Sequence, residues 1–220
     1  MSPLYVYFVA SLSGAASMAL EMAASRLLLP FYGDSYLIWT NIIGLILASL
    51  TAGYYFGGAI ADRRPSQRLL SGIVGTSGLW TFAVSFTGRQ FIEAVQQAFP
   101  RNHIGFLVSS FLSVFGLFAL PAFLLGCVSP FAIRLSVANM RTAGRVTGKV
   151  YAVSTIGSVF GTFVPVLWLM PTLGVRRTFL AIASTLLAAS LLGLFLSFAG
   201  TGISDQRCPN DGRLHTDMPE

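Results

Sequence analysis

Charge is what this sequence has least of. Only 10% of its 220 residues are charged, against about 25% in a soluble domain. Of the eight acids, four (Asp205, Asp211, Asp217 and Glu220) fall in the last twenty residues. So sparse a charge, thin along nearly the whole length, excludes a soluble domain with one anchor. It points to a polytopic membrane chain. Cysteine is scarce too. Cys127 lies in an apolar run and Cys208 in a polar stretch, which excludes a disulfide framework and gives no metal-ligand spacing. Cys127 reads as a small packing residue. His103 and His215 stand alone, so no metal site is expected. No Gly-rich loop follows a strand, and no Ser/His/Asp or Cys/His set shares one membrane side, so no cofactor and no catalytic residue is assigned. The net charge of +6 would suggest nucleic acid in a soluble chain. Here the basic residues fall between apolar runs and read as topology determinants, so no nucleic-acid partner is expected.

What is abundant is apolar: 54% of residues, with a mean hydropathy of +0.71. The runs cover about 4–29, 36–60, 69–88, 104–133, 150–170 and 177–199. Each is long enough to cross a hydrocarbon core of about 30 Å at about 1.5 Å per residue. The expected fold is therefore all-α: a six-helix transmembrane domain over 1–200, with the lipid bilayer as its first partner. Pro30–Asp34, Ala61–Arg68 and Pro171–Gly174 supply turns or a basic loop between runs. Ser17-Met18-Ala19 is like a signal-peptide cleavage site. Residues 1–9 carry no basic side chain, however, and the apolar run continues past it, so an uncleaved first helix is expected.

Basic residues orient the chain. With the N-terminus inside, Arg63, Arg64, Arg68, Arg134, Arg141, Arg145, Lys149, Arg207 and Arg213 are cytoplasmic, while Arg89, Arg101, Arg176 and Arg177 are outside. The positive-inside rule then puts both termini in the cytoplasm, the expected compartment being the bacterial cytoplasmic membrane. Between Arg89 and Pro100, Phe91, Ile92, Val95, Ala98 and Phe99 keep helical spacing while Gln90, Glu93, Gln96 and Gln97 take the other side. An interfacial helix is expected there, with an ordinary long loop as the alternative. From 201 to 220 the composition turns polar, and a disordered cytoplasmic tail is expected.

Against this apolar ground Glu21 stands out, inside the first run. A carboxylate there costs roughly 2.5 kcal/mol or more unless it is paired, protonated or turned to a polar cavity. Arg26 lies about 140° away around a helix, so the two are poor partners on regular geometry. Arg26 can snorkel outward or pair with Asp34. Glu21 needs a hydroxyl, an amide such as Asn41, or a cation. Two roles stand open for it: a cation site or proton relay, and a buried structural hydrogen bond.

Small residues recur one turn apart. Gly53 and Gly57 narrow one face of the second run, and Gly157 and Gly161 do so in the fifth, where Ser154, Ser158 and Thr162 share the spacing. Such faces let backbones approach. The hydroxyl-bearing face is either a helix–helix seam or a wall facing substrate. Gly58-x-x-x-Asp62-Arg63, followed by Arg68, resembles the loop signature between helices 2 and 3 of major facilitator transporters. That resemblance implies an inner gate made by Gly58, Asp62 and Arg63 with Arg134; it departs at Pro65, where the family commonly has glycine. A longer series resembles the membrane domain of the fused spermidine synthase-like proteins, half major-facilitator modules, over about residues 10–175. It comprises Glu21-Met22-Ala23-Ala24-Ser25-Arg26, Pro30–Ser35 with Trp39, Gly53-Tyr54 with Gly57-Gly58, Ser129-Pro130 with Arg134, and Tyr151–Thr162. In many members an aminopropyltransferase-like domain follows; this sequence is expected to lack it, so the enzyme activity does not carry over. The resemblance implies a half major-facilitator-like bundle. The expected function is a transporter-like half module for polyamines or other organic cations, working as a homodimer or with a membrane or enzyme partner. The alternative is a non-transporting anchor or assembly subunit for a separate spermidine synthase-like enzyme.

Overall fold

The computed structural model describes residues 3–100, 102–137 and 142–201. The expected tail, apart from Thr201, lies outside them, as do Arg101, Arg141, Arg207 and Arg213. Every described element is helical: α1 Pro3–Tyr32, α2 Tyr36–Arg63, α3 Gln67–Ala98, α4 His103–Val114, α5 Leu120–Ser136, α6 Ala143–Val164 and α7 Met170–Thr201. Wider π-type turns, Phe115–Ala119 and Pro165–Leu169, join α4 to α5 and α6 to α7.

The breaks follow local chemistry. The helix carries on through Pro30, and α1 ends only at Gly33, whose φ of 71° few side chains tolerate. Ser35 then caps α2, its Oγ accepting from the Leu37 amide at 3.3 Å. Asn102 caps α4, its Oδ1 accepting from the Gly105 amide at 2.7 Å. Pro121 has no N–H for the Leu117 carbonyl one turn back. That carbonyl instead accepts from Trp80 Nε1 of α3 at 3.0 Å. A proline inside a membrane-length helix is thus matched by a donor from its neighbour.

Five helical stretches are long and apolar enough to cross a membrane: Leu4–Tyr32, Tyr36–Arg63, Gln67–Ala98, His103–Ser136 and Ala143–Ser197. The fifth and sixth expected runs are joined in the last of these. Its 55 residues would extend about 80 Å if straight, but Gly174, at φ 78° and ψ 167°, breaks the helical path. A second expectation is corrected outright. The segment from Arg89 to Pro100 is neither a separate interfacial helix nor a loop, because α3 runs unbroken to Ala98. Nothing between Gly88 and Pro100 interrupts helical hydrogen bonding, and Ile92 is fully buried.

α1 occupies the centre, with 61% of its most apolar window buried against 33% for α2. Its main neighbour is α6, while α2 pairs with α5 and α3 with α7. Leu28, Ile42, Ile46, Phe131 and Leu186 fill the core. Phe118 and Phe179 stack within it, their centroids 5.9 Å apart. Between α1, α3 and α7, the Tyr5 hydroxyl donates to the Ala189 carbonyl and lies 3.1 Å from Ser71 Oγ, and Ser190 Oγ donates to the Ser71 carbonyl at 2.7 Å. These bonds fasten three helices to one another inside the bundle.

Candidate functional site

Four-residue spacing places Ser13, Ser17 and Glu21 along one inward stripe of α1, and all three are buried. The serines settle their hydroxyls locally: Ser13 Oγ donates to the Ala10 carbonyl at 3.0 Å, and Ser17 Oγ to the Gly14 carbonyl at 2.9 Å. Glu21 makes neither a hydrogen bond nor an ion pair among the described residues, although it is only 7% exposed. Among those residues, Ser136 Oγ is the single fully enclosed side-chain polar atom without a partner. The Glu21 carboxylate therefore keeps an opening. It lies about 16 Å along the axis from the Tyr32 end of α1, near the middle of a membrane-length helix. An inward carboxylate at that depth can hold a cation or exchange a proton.

The expected companions of Glu21 are placed elsewhere. Asn41 Nδ2 donates to Ser110 Oγ of α4 at 2.9 Å, so its amide serves the α2–α4 contact. Arg26 is exposed and shares a small cavity of about 130 Å³ with Asp34, yet the two form no ion pair. Asp34 Oδ1 accepts instead from Trp39 Nε1 at 3.1 Å. The short loop turns Asp34 toward the first turn of α2, five residues before the tryptophan it meets.

Ser154 and Ser158 lie against α1. A β-carbon added at Gly14 would meet the Ser154 carbonyl and the Oγ atoms of both serines. Ser158 Oγ donates to the Ser154 carbonyl at 3.2 Å, and Thr162 Oγ1 to the Ser158 carbonyl at 2.9 Å. Gly157 abuts the Ser11 carbonyl and Gly161 the Ala15 backbone. Along this face α6 packs closely against α1. Gly53 and Gly57 do the same for α2, the first against the Phe123 carbonyl and the second against the Cys127 Cα.

At the far end of α2, Asp62 Oδ1 and Arg134 Nε of α5 are 3.3 Å apart, with both side chains well exposed. Arg63 takes no part in that pair. Gly58 faces Pro130 with room for a methyl group, a built β-carbon lying 3.8 Å from the proline Cβ.

Sequence reasoning missed two features. One is the Ser13–Ser17 extension of the Glu21 stripe, which the four-residue spacing carries. The other is a cavity of about 890 Å³ at the opposite end from Arg134, between the ends of α1 and α3 and the start of α4. Its signal is the polar side of residues 93–97, which the unbroken α3 presents to the cavity. Among the described residues, no three His, Cys, Asp or Glu side chains gather where a metal could be held. No family model, curated protein or solved structure matches the chain.

Proposed function

We propose that the chain is a transporter-like half module that crosses the membrane six times, with both termini in the cytoplasm, and passes polyamines or related organic cations. The observation that carries the reading is Glu21: a buried, unpartnered carboxylate at mid-depth in the central helix. A purely structural acceptor would have a donor, and the serines on the same stripe, as donors, have each found a carbonyl acceptor.

The pairing of helices supports the architecture. Taken as six crossings, with Gly174 at the last turn, the spans are α1, α2, α3, α4–α5, α6 and α7. The principal contacts then join first to fifth, second to fourth and third to sixth. Exchanging the first three spans with the last three leaves this set unchanged. Some lesser contacts agree, α1 with α2 matching α5 with α6, and α1 with α7 matching α3 with α5, while the α1–α3 contact has no counterpart of its size. An internal repeat would give such an exchange, and transporters place their repeats around a mid-membrane site. The resemblance to half major-facilitator modules implies a second half. A homodimer is proposed to supply it, since one six-helix half forms only one side of a pathway. The Asp62–Arg134 pair sits where that resemblance implies the cytoplasmic gate.

The anchor reading has one observation of its own. The Ser158 and Thr162 hydroxyls bond back to carbonyls of α6 itself, on the face that packs against α1. The two readings separate in sealed vesicles containing the purified protein. A carrier takes up labelled spermidine or tetraethylammonium above protein-free vesicles. An anchor takes up neither, and instead copurifies with an aminopropyltransferase-like enzyme.

A further inference from the structure

The lining of the large cavity at the Gly33 end includes none of Ser13, Ser17 and Glu21. Its volume of about 890 Å³ lies within the range of roughly 300–1,000 Å³ that holds drug-sized ligands. Aromatic rings of Phe31 and Tyr32 from α1, Phe99 after α3 and Phe106 of α4 share its lining with polar side chains, His103 among them. Tyr32 and Phe106 meet edge to face, with centroids 5.5 Å apart. The Tyr32 hydroxyl lies 3.0 Å from Ser113 Oγ, and Gln96 Nε2 donates to the Phe31 carbonyl at 2.8 Å. The walls are therefore tied in place. Glu93 is the one carboxylate among the described lining residues, and no lysine or arginine is among them.

The site already holds a cation of its own at the rim. Arg89 Nε lies 2.9 Å from Glu93 Oε1, while its guanidinium carbon stands 5.9 Å from the centre of the Phe31 ring. A carboxylate and an aromatic face thus converge on one positive group. That group is weakly held, because the Arg89 side chain is 78% exposed. Exposed pairs of this kind shift an equilibrium by less than about a factor of ten. A ligand that offers the same charge, and also fills the aromatic cavity, outcompetes it.

We propose that this cavity binds a drug-sized amphipathic organic cation, its charge against Glu93 and Phe31 and its apolar body between Tyr32 and Phe106. The proposal shares a ligand class with the transport reading and rests on it for nothing else, because binding here needs no passage through the membrane.

Equilibrium dialysis of the full chain in nanodiscs tests it, with empty nanodiscs as the blank. Tetraphenylphosphonium is the probe, and tetraphenylborate, matched in shape and opposite in charge, is the control. The expected result is saturable phosphonium binding at one site, with borate at the blank level. Glu93→Gln is expected to weaken phosphonium binding about tenfold. Arg89→Gln is expected to strengthen it severalfold, by removing the resident competitor. Phe106→Ala gives a second loss without touching charge, and melting curves establish that each variant is folded. Absence of saturable binding overturns the proposal, as does equal binding of borate. So does an Arg89→Gln protein that binds as weakly as Glu93→Gln, for the ion pair would then be a structural strut.

Discussion

Glycines on the α1–α6 seam carry the sharpest consequences at the scale of single residues. Gly157 and Gly161 each meet the backbone of α1 first, so added bulk must separate two helices. Gly157→Leu and Gly161→Leu are each expected to cost about 3 kcal/mol or more and to lower the melting temperature in detergent far more than Ser154→Ala. The serine change removes a hydrogen-bonding group worth about 0.6–2 kcal/mol. Gly44 has open space around it, and Gly44→Ala serves as the tolerated control. The seam was legible because small residues repeat every four positions. The partners of Asn41 and Asp34 were not. Each polar side chain takes the nearest donor or acceptor that the fold presents, Ser110 and Trp39 here, and spacing along one helix says nothing of what faces it across the gap.

Among elements, the α4–α5 span shows how a proline is accommodated. If Trp80 Nε1 replaces the missing N–H of Pro121 at the Leu117 carbonyl, then Trp80→Phe strands an acceptor at a cost of about 1–3 kcal/mol. Pro121→Ala supplies a backbone donor. In the double variant the loss from Trp80→Phe is expected to be much smaller than in the single one, and chemical melts of the four proteins measure that coupling directly. Equal losses in both backgrounds would mean that the indole contributes by packing alone. Hydrophobic runs made every long helix legible in outline. Their ends were less so: Gly88 and Arg89 read as an end of span, yet α3 continues because neither prevents a helix. The last two runs merge into one stretch because Pro171 and Gly174 produce a kink instead of an open loop.

For the whole molecule, orientation and the number of crossings are one question. Single cysteines at Ser66, His103 and Leu173, in a background without Cys127 and Cys208, report the side of each link. Six crossings with a cytoplasmic N-terminus place Ser66 inside and both His103 and Leu173 outside. Leu173 protected from outside reagent, with His103 reactive, would mean that Ala143–Ser197 does not turn back at Gly174. The expected orientation rests on the basic residues alone. The pairing of helices rests on contacts between them, which spacing along the sequence does not carry.

The central claim is that Glu21 is kept for its charge. Glu21→Gln preserves size and hydrogen-bonding capacity but carries no negative charge and cannot exchange a proton in the same way. The decisive measurement is uptake of labelled spermidine or tetraethylammonium into sealed vesicles by wild-type, Glu21→Gln and Glu21→Leu proteins, beside their melting temperatures. The account expects the glutamine variant to insert and melt near normally while losing at least about nine-tenths of uptake, with the leucine variant equally inactive. A Glu21→Leu protein that is stable and fully active would contradict it.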